Sequence, residues 1–110
     1  METATFAAGP PGDLEAALRA LDGVHETRAG RTEEPAYEAV EADYDPWRVS
    51  YDDLLEVFWA VYDGGSSAIF PHTVEQHVAA EASRRRAEKR LGHVTAELVS
   101  AGRFRRSAPS

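Results

Sequence analysis

The sequence contains no cysteine, so the chain can supply no disulfide, no thiolate nucleophile and no thiolate metal ligand. It also lacks an apolar run long enough to cross a membrane, and its N-terminus lacks a signal-peptide pattern. Basic residues number 12 against 19 acidic ones, and the net charge of −7 disfavours binding to nucleic acid or to an anionic membrane. We therefore expect a cytoplasmic protein with no nucleic-acid and no membrane partner.

The length and composition predict one small globular domain. Of the 110 residues, 43% are hydrophobic and 28% are charged, which is an ordinary balance for a chain with a buried core. We place the domain at residues 1–101. Residues 102–110 are polar and rich in arginine, and they are expected to form a flexible tail that frays.

Alternating and short apolar runs predict five strands, at residues 3–8, 24–29, 37–44, 67–70 and 94–99. The strand at 37–44 carries the clearest pattern, with Val40, Ala42 and Tyr44 on one face. The polar stretch at 30–35 is predicted to be a loop.

Three helices are predicted between these strands. Asp13 is a candidate cap for the first, and Ser50 with Asp53 has capping-box spacing at the start of the second. Thr73 with Gln76 repeats that spacing before a long third helix. The resulting order, β-α-β-β-α-β-α-β, predicts an α+β fold in which helices cover a mixed sheet.

Many short segments, in the right order, resemble the A class of peptide methionine sulfoxide reductases. They include Ala4 to Gly9, Leu14 to Ala17, Tyr44 to Pro46, Ser50 to Leu55, Ser67 to Phe70 and Ala80 to Ser83. The resemblance covers about four fifths of the chain. It implies a two-layer α/β sandwich of ferredoxin-like type, with a mixed sheet and helices packed on it.

The reactive motif of that family is missing. The resemblance implies a G-C-F-W-G sequence at the start of the first helix, where the cysteine attacks the sulfoxide and the aromatic pair holds the substrate methyl group. The corresponding residues here are Gly9, Pro10, Pro11, Gly12 and Asp13. The family's resolving cysteines are absent as well. The resemblance therefore implies a relative that is inactive as a thiol-dependent reductase, a pseudoenzyme that needs no cofactor.

Two alignments of the shortened middle segment remain open. In one, Glu38 occupies the position of the family's catalytic glutamate; in the other, Tyr37 replaces a family tyrosine and the glutamate is deleted. We favour the first, because it leaves the strand to Tyr44 without a gap. Gly64 to Ser66 is too short to replace the family loop that carries an aspartate and a second tyrosine.

Other candidates have simpler structural explanations. Four histidines lack the spacing of a metal site, so no metal is expected: His25, His72, His77 and His93. Five carboxylates around the third strand are read as a solvated face: Glu33, Glu34, Glu41, Asp43 and Asp45. Trp47 follows Pro46 in a turn and is a candidate contact for a partner or for a homo-oligomer.

Three hypotheses for the function follow. In the first, the chain binds a small molecule or a protein partner in or near the vacated pocket. In the second, the pocket is repurposed for non-redox acid/base chemistry on a small molecule, with Glu38 and Tyr37 as catalytic candidates. In the third, the chain has an interaction role through Trp47, the acidic face or the basic end of the third helix. The first is preferred, with the second as its alternative.

Overall fold

The computed structural model describes residues 1–107, which form six strands and three helices. The strands are β1 (Glu2–Ala7), β2 (Val24–Thr32), β3 (Glu38–Tyr44), β4 (Ala68–Phe70), β5 (Glu97–Leu98) and β6 (Phe104–Arg106). The helices are α1 (Pro11–Arg19), α2 (Tyr51–Val61) and α3 (Val74–Leu91). In this part of the chain, no helix combines the length and the apolar character needed to cross a membrane.

The strands form one mixed sheet in the order β5-β4-β1-β3-β2-β6. Strand β4 pairs with β5 in parallel, and the other neighbours are antiparallel. Phe6, near the end of β1, lies opposite Val40 on β3 and opposite Ile69 on β4. The predicted α+β class with a mixed sheet is confirmed.

The main core lies between one face of this sheet and the three helices. The alternation predicted for β3 is correct, since Val40, Ala42 and Tyr44 are buried in this core. The helices contribute buried side chains at helical spacing: Leu14, Leu18, Leu54, Leu55, Phe58, Ala80 and Ala87. Each large apolar side chain buried there stabilises the fold by about 1.5–3 kcal/mol. The result is the predicted two-layer sandwich.

The capping residues predicted from the sequence, Ser50 and Thr73, lie at the starts of α2 and α3. The Asp53 amide donates to Ser50 Oγ at 3.0 Å and the Ser50 amide donates to Asp53 Oδ2 at 3.1 Å, so this capping box is complete. Thr73 accepts from the Gln76 amide at 3.0 Å, but the Gln76 side chain accepts from the amide of His72 instead of closing a box.

The cap predicted for α1 is wrong. The N-cap residue is Pro10, which offers no side-chain hydrogen bond, and Asp13 lies inside the first turn. Pro11 occupies the first helical position, where the fixed φ of proline suits a helix and its missing N–H is not needed for the helix ladder. The helix therefore begins three residues earlier than a cap at Asp13 would place it.

The tail and the preceding loop also differ from the prediction. Strand β2 continues to Thr32, and β6 pairs with it, whereas we expected a loop at 30–35 and a fraying tail from 102. Gly30 makes this pairing possible, since a Cβ there would collide with the Phe104 ring and with the Arg105 carbonyl. Residues 108–110 of the predicted tail lie outside the described residues. The predicted strand at 94–99 is reduced to Glu97–Leu98.

A smaller apolar cluster lies on the opposite face of the sheet. Its buried members are Ala7, Ala39, Ala68 and Phe70. The segment that leads into β6 packs against it through Val99, Ala101 and Phe104. This packing explains why the polar C-terminal stretch is ordered: its few apolar residues cover an apolar patch of the sheet.

Candidate functional site at the start of helix α1

Residues 9–13 form the turn after β1 and the first residues of α1, where the resemblance requires them. Gly9 has φ +54°, a left-handed conformation that glycine adopts without strain. A Cβ on Gly9 would approach Val61 Cγ1 to 3.0 Å, so the turn is packed against the end of α2. Pro10 is extended and leads directly into the helix. We call this region the α1 mouth, meaning residues 9–13.

The α1 mouth has few backbone donors. Pro10 and Pro11 have no N–H, and the amides of Asp13 and Leu14 both donate to the Pro10 carbonyl, at 3.0 and 3.3 Å. Within residues 1–107, the Gly12 amide makes no backbone hydrogen bond. A helix start normally stabilises an anion with several free N–H groups and with its dipole. Here the Gly12 amide alone remains free, and it lies next to Asp13 in the chain.

The α1 mouth is an open surface. Pro10, Gly12 and Asp13 are exposed. Within residues 1–107, apart from its chain neighbours and the helix backbone, nothing lies within 4 Å of the position that a Cβ on Gly12 would take. Water therefore reaches the helix start freely, and a ligand there would be held from one side only.

Glu38 and Tyr37 are not brought together. Continuing the register in which Phe6 faces Val40 puts Glu38 beside Ala8, at the same sheet end as the α1 mouth. Glu38 is exposed, whereas Tyr37 packs edge-on against Phe70 at 5.8 Å, on the face away from the helices. Ala39 belongs to the same cluster as Tyr37, so alternation along β3 places Glu38 on the opposite face, and the two side chains do not line one pocket.

A network of charges on the face away from the helices was missed by the sequence analysis. Arg28 on β2 donates from Nε to Glu41 Oε1 at 3.0 Å, and from Nη1 and Nη2 to Asp43 at 2.9 and 3.1 Å. The side chains are only 13–25% exposed. The hydrogen bond from Arg28 is the main cause that holds the pKa of Asp43 below its usual value. The predicted solvated acidic face is wrong for Glu41 and Asp43.

The network continues into β1 and towards α3. Thr3 donates to Asp43 at 2.9 Å, and Thr5, which is buried, donates to Glu41 at 3.3 Å. His72 Nε2 lies 2.8 Å from Thr5 Oγ1, and partial burial lowers the pKa of His72 while Glu41 opposes that shift. His72 thus has a structural partner. In residues 1–107, no three His, Asp or Glu side chains are arranged to hold a metal ion.

Trp47, the candidate interface residue, is 94% exposed. Its backbone amide donates to Asp45 Oδ1 at 3.0 Å, which holds the turn and presents the indole to solvent. Exposure of a whole indole is uncommon and agrees with a contact role, which stays a prediction.

These observations define a class of protein: an α+β sandwich whose first helix starts at an open turn without a thiol. The family model for peptide methionine sulfoxide reductase matches residues 2–107. The chain therefore belongs to the peptide methionine sulfoxide reductase family, as the resemblance implied, and it lacks the cysteine of that chemistry.

Two relatives illustrate the relationship. The peptide methionine sulfoxide reductase MsrA of Methanothermobacter thermautotrophicus is 39% identical over 116 residues, covering 80% of this chain and 69% of the relative. The MsrA of Geobacter metallireducens is 36% identical over 138 residues, covering 94% of this chain and 83% of the relative. The second alignment is longer than the 110-residue chain, so that relative carries insertions that this chain lacks.

Solved structures support the fold. Mxr1 from Saccharomyces cerevisiae, in complex with Trx2, superposes with a TM-score of 0.85 at 16% identity, covering 94% of this chain and 78% of that one. Methionine sulfoxide reductase A of Corynebacterium diphtheriae gives a TM-score of 0.77 at 22% identity, covering 94% and 68%. At these identities the likeness establishes the architecture alone.

Proposed function

We propose that this chain is a reductase-inactive family member that acts by binding a small ligand or a protein partner at the α1 mouth. The observation that carries the proposal is the combination of a retained scaffold with an open, thiol-free helix start. Pro10 stands where the turn would present a nucleophile, and the chain has no cysteine to replace it. The fold positions a surface there without supplying a reactive group.

The charges at the α1 mouth indicate which ligands it favours. Asp13 is exposed in the first turn of α1, and Glu38 is exposed at the neighbouring strand end. One free amide, from Gly12, is the remaining donor of that turn. Two carboxylates and a single N–H favour a ligand that carries a cation or amide donors, such as an amine or the backbone of a peptide.

Acid/base catalysis by Glu38 with Tyr37 receives no support from this geometry. Tyr37 is directed into the apolar cluster around Phe70, so Glu38 would have to act without it. The α1 mouth is open to water and does not enclose a substrate. Binding is therefore the function that the arrangement serves best.

A thermal-shift screen with amines, amino-acid amides and short peptides tests the proposal. A ligand present at 100 times its Kd should stabilise the protein by about 2.7 kcal/mol. The stabilisation should fall in Glu38→Gln and Asp13→Asn. Glu97→Gln is the matched control, because Glu97 is also exposed but lies on β5, at the sheet edge remote from β3.

Two results would contradict the proposal. One is a flat response over a broad panel of ligands and peptides. The other is turnover of methionine sulfoxide by the pure protein above background, with dithiothreitol or thioredoxin as reductant, since binding without reduction is what we expect.

A further inference from the structure

A concave groove lies between α2 and α3, and it shares no residue with the α1 mouth. The groove has a volume of about 250 Å³. Its lining is mostly charged, and the residues that matter are Asp52, Glu56, Trp59, Ser83, Arg86 and Arg90. The volume lies just below the range of about 300–1,000 Å³ that is typical of small-molecule pockets, which suits a ligand of a few non-hydrogen atoms.

The floor of the groove is rigid. Trp59 is 8% exposed, and its ring packs edge-on against Phe58 and Tyr62, with centroids 4.8 and 5.3 Å away. The indole Nε1 donates to Ser83 Oγ at 2.8 Å. Ser83 is 6% exposed and acts as an acceptor in that bond, so its own hydroxyl proton is left to donate.

Helices α2 and α3 form the two walls of the groove, and these walls carry opposite charges. Asp52 and Glu56 lie one turn apart on α2, and Arg86 and Arg90 lie one turn apart on α3. All four side chains are exposed at the rim. Within the described part of the chain, none of them forms an ion pair within 4.0 Å. The two carboxylates and the two guanidinium groups therefore face the same gap without neutralising each other.

We infer that this groove binds a small zwitterion, with the anionic end at Arg86 and Arg90 and the cationic end at Asp52 and Glu56. Two guanidinium groups one turn apart can share a single carboxylate, and a carboxylate pair can share one ammonium. A purely anionic ligand would have to approach two carboxylates, and a purely cationic one would have to approach two guanidinium groups. A ligand with both charges satisfies both walls, and this inference does not depend on the α1 mouth.

The two tryptophans make the test direct. In a ¹⁵N-correlated NMR titration, glycine, β-alanine and γ-aminobutyrate should shift the indole N–H signal of Trp59, which forms the groove floor. The signal of Trp47, which is 94% exposed and lies outside the groove, should not move. The half-ligands acetate and methylammonium, at equal concentration, should shift Trp59 less, because each leaves one wall unpaired.

Charge-removing variants identify the walls. Arg86→Gln and Glu56→Gln should each weaken binding by about five-fold. Arg85→Gln should not, since Arg85 is a neighbouring exposed arginine that does not line the groove. Far-ultraviolet circular dichroism of each variant confirms that it is folded.

Each contrary outcome overturns the inference. Tighter binding in Glu56→Gln would identify a site for anions alone. An unmoved Trp59 signal with all three amino acids at millimolar concentration would mean that the groove does not bind zwitterions. Equal losses in Arg85→Gln and Arg86→Gln would indicate general attraction to the basic helix.

Discussion

Replacing Arg28 with methionine removes the guanidinium that lies between Glu41 and Asp43. Arg28 makes three hydrogen bonds to these carboxylates, at 2.9–3.1 Å. Methionine keeps an unbranched apolar side chain of comparable length, so the change removes mainly charge and donors. The two carboxylates, one on each side of Ala42 on the same strand face, are then left without a cation.

The expected loss of stability follows from the burial of Arg28, Glu41 and Asp43. Removing one partner of a fully buried ion pair costs about 3–5 kcal/mol. Here the side chains retain 13–25% of their exposure, so water relieves part of that cost. We expect Arg28→Met to lower the free energy of unfolding by about 2–3 kcal/mol, and to lower Tm by about 10 °C or more in a domain of this size.

The pH dependence provides an independent check on the cause. Arg28 holds the pKa of Asp43 below its usual value, so this pair stabilises the fold above pH about 4 and the contribution is lost as pH falls through the lowered pKa. In Arg28→Met that contribution is absent. The gap in stability between the two proteins should therefore be largest near neutral pH and shrink in acid.

Urea unfolding monitored by circular dichroism measures these differences. Arg31→Met is the matched control, because Arg31 is exposed on the same strand, and its effect should stay within about 0.5 kcal/mol. The triple variant with Arg28→Met, Glu41→Gln and Asp43→Asn should regain at least half of the loss. A loss below about 1 kcal/mol in the single variant, or no regain in the triple variant, would refute the reasoning.

Three further predictions concern other parts of the chain. Pro10→Cys should leave methionine sulfoxide reduction at background in a dithiothreitol-coupled assay, since the missing N–H of Pro11 is not restored; measurable turnover would contradict this. Trp47→Ala should keep stability within about 0.5 kcal/mol while changing elution in size-exclusion chromatography or the capture of a partner, and an unchanged monomer would argue against a contact role. Gly30→Ala should destabilise by about 1–3 kcal/mol and raise hydrogen exchange in β6, because the new methyl group meets the Phe104 ring; unchanged exchange would show that β6 does not depend on this contact.

Elements specified by neighbouring residues were predictable from the sequence. The Ser50–Asp53 box and the Thr73 cap depend on contacts three residues apart, and both helices begin where these residues indicate. The alternation in β3 correctly predicted its buried face. The cap predicted at Asp13 was wrong because proline started the helix instead.

Features that depend on distant residues were not predictable. Arg28 meets Glu41 and Asp43 only because the β2–β3 register aligns them, across 13 and 15 residues of chain. Strand β6 requires Gly30, more than 70 residues before it, to leave room for Phe104. Neither contact leaves a periodic signal in its own segment, so a polar strand face and a polar tail were the natural interpretations.

The absence of thiol chemistry was determined by the sequence alone, because the capacity to form a thiolate is a property of composition and needs no fold. The family was also readable from it, since many short segments kept their order. Only the tertiary structure decided that Tyr37 packs against Phe70, and that opposite charges line a groove between α2 and α3. Those facts arise from strand direction, register and helix packing, which bring together residues that the linear order keeps apart.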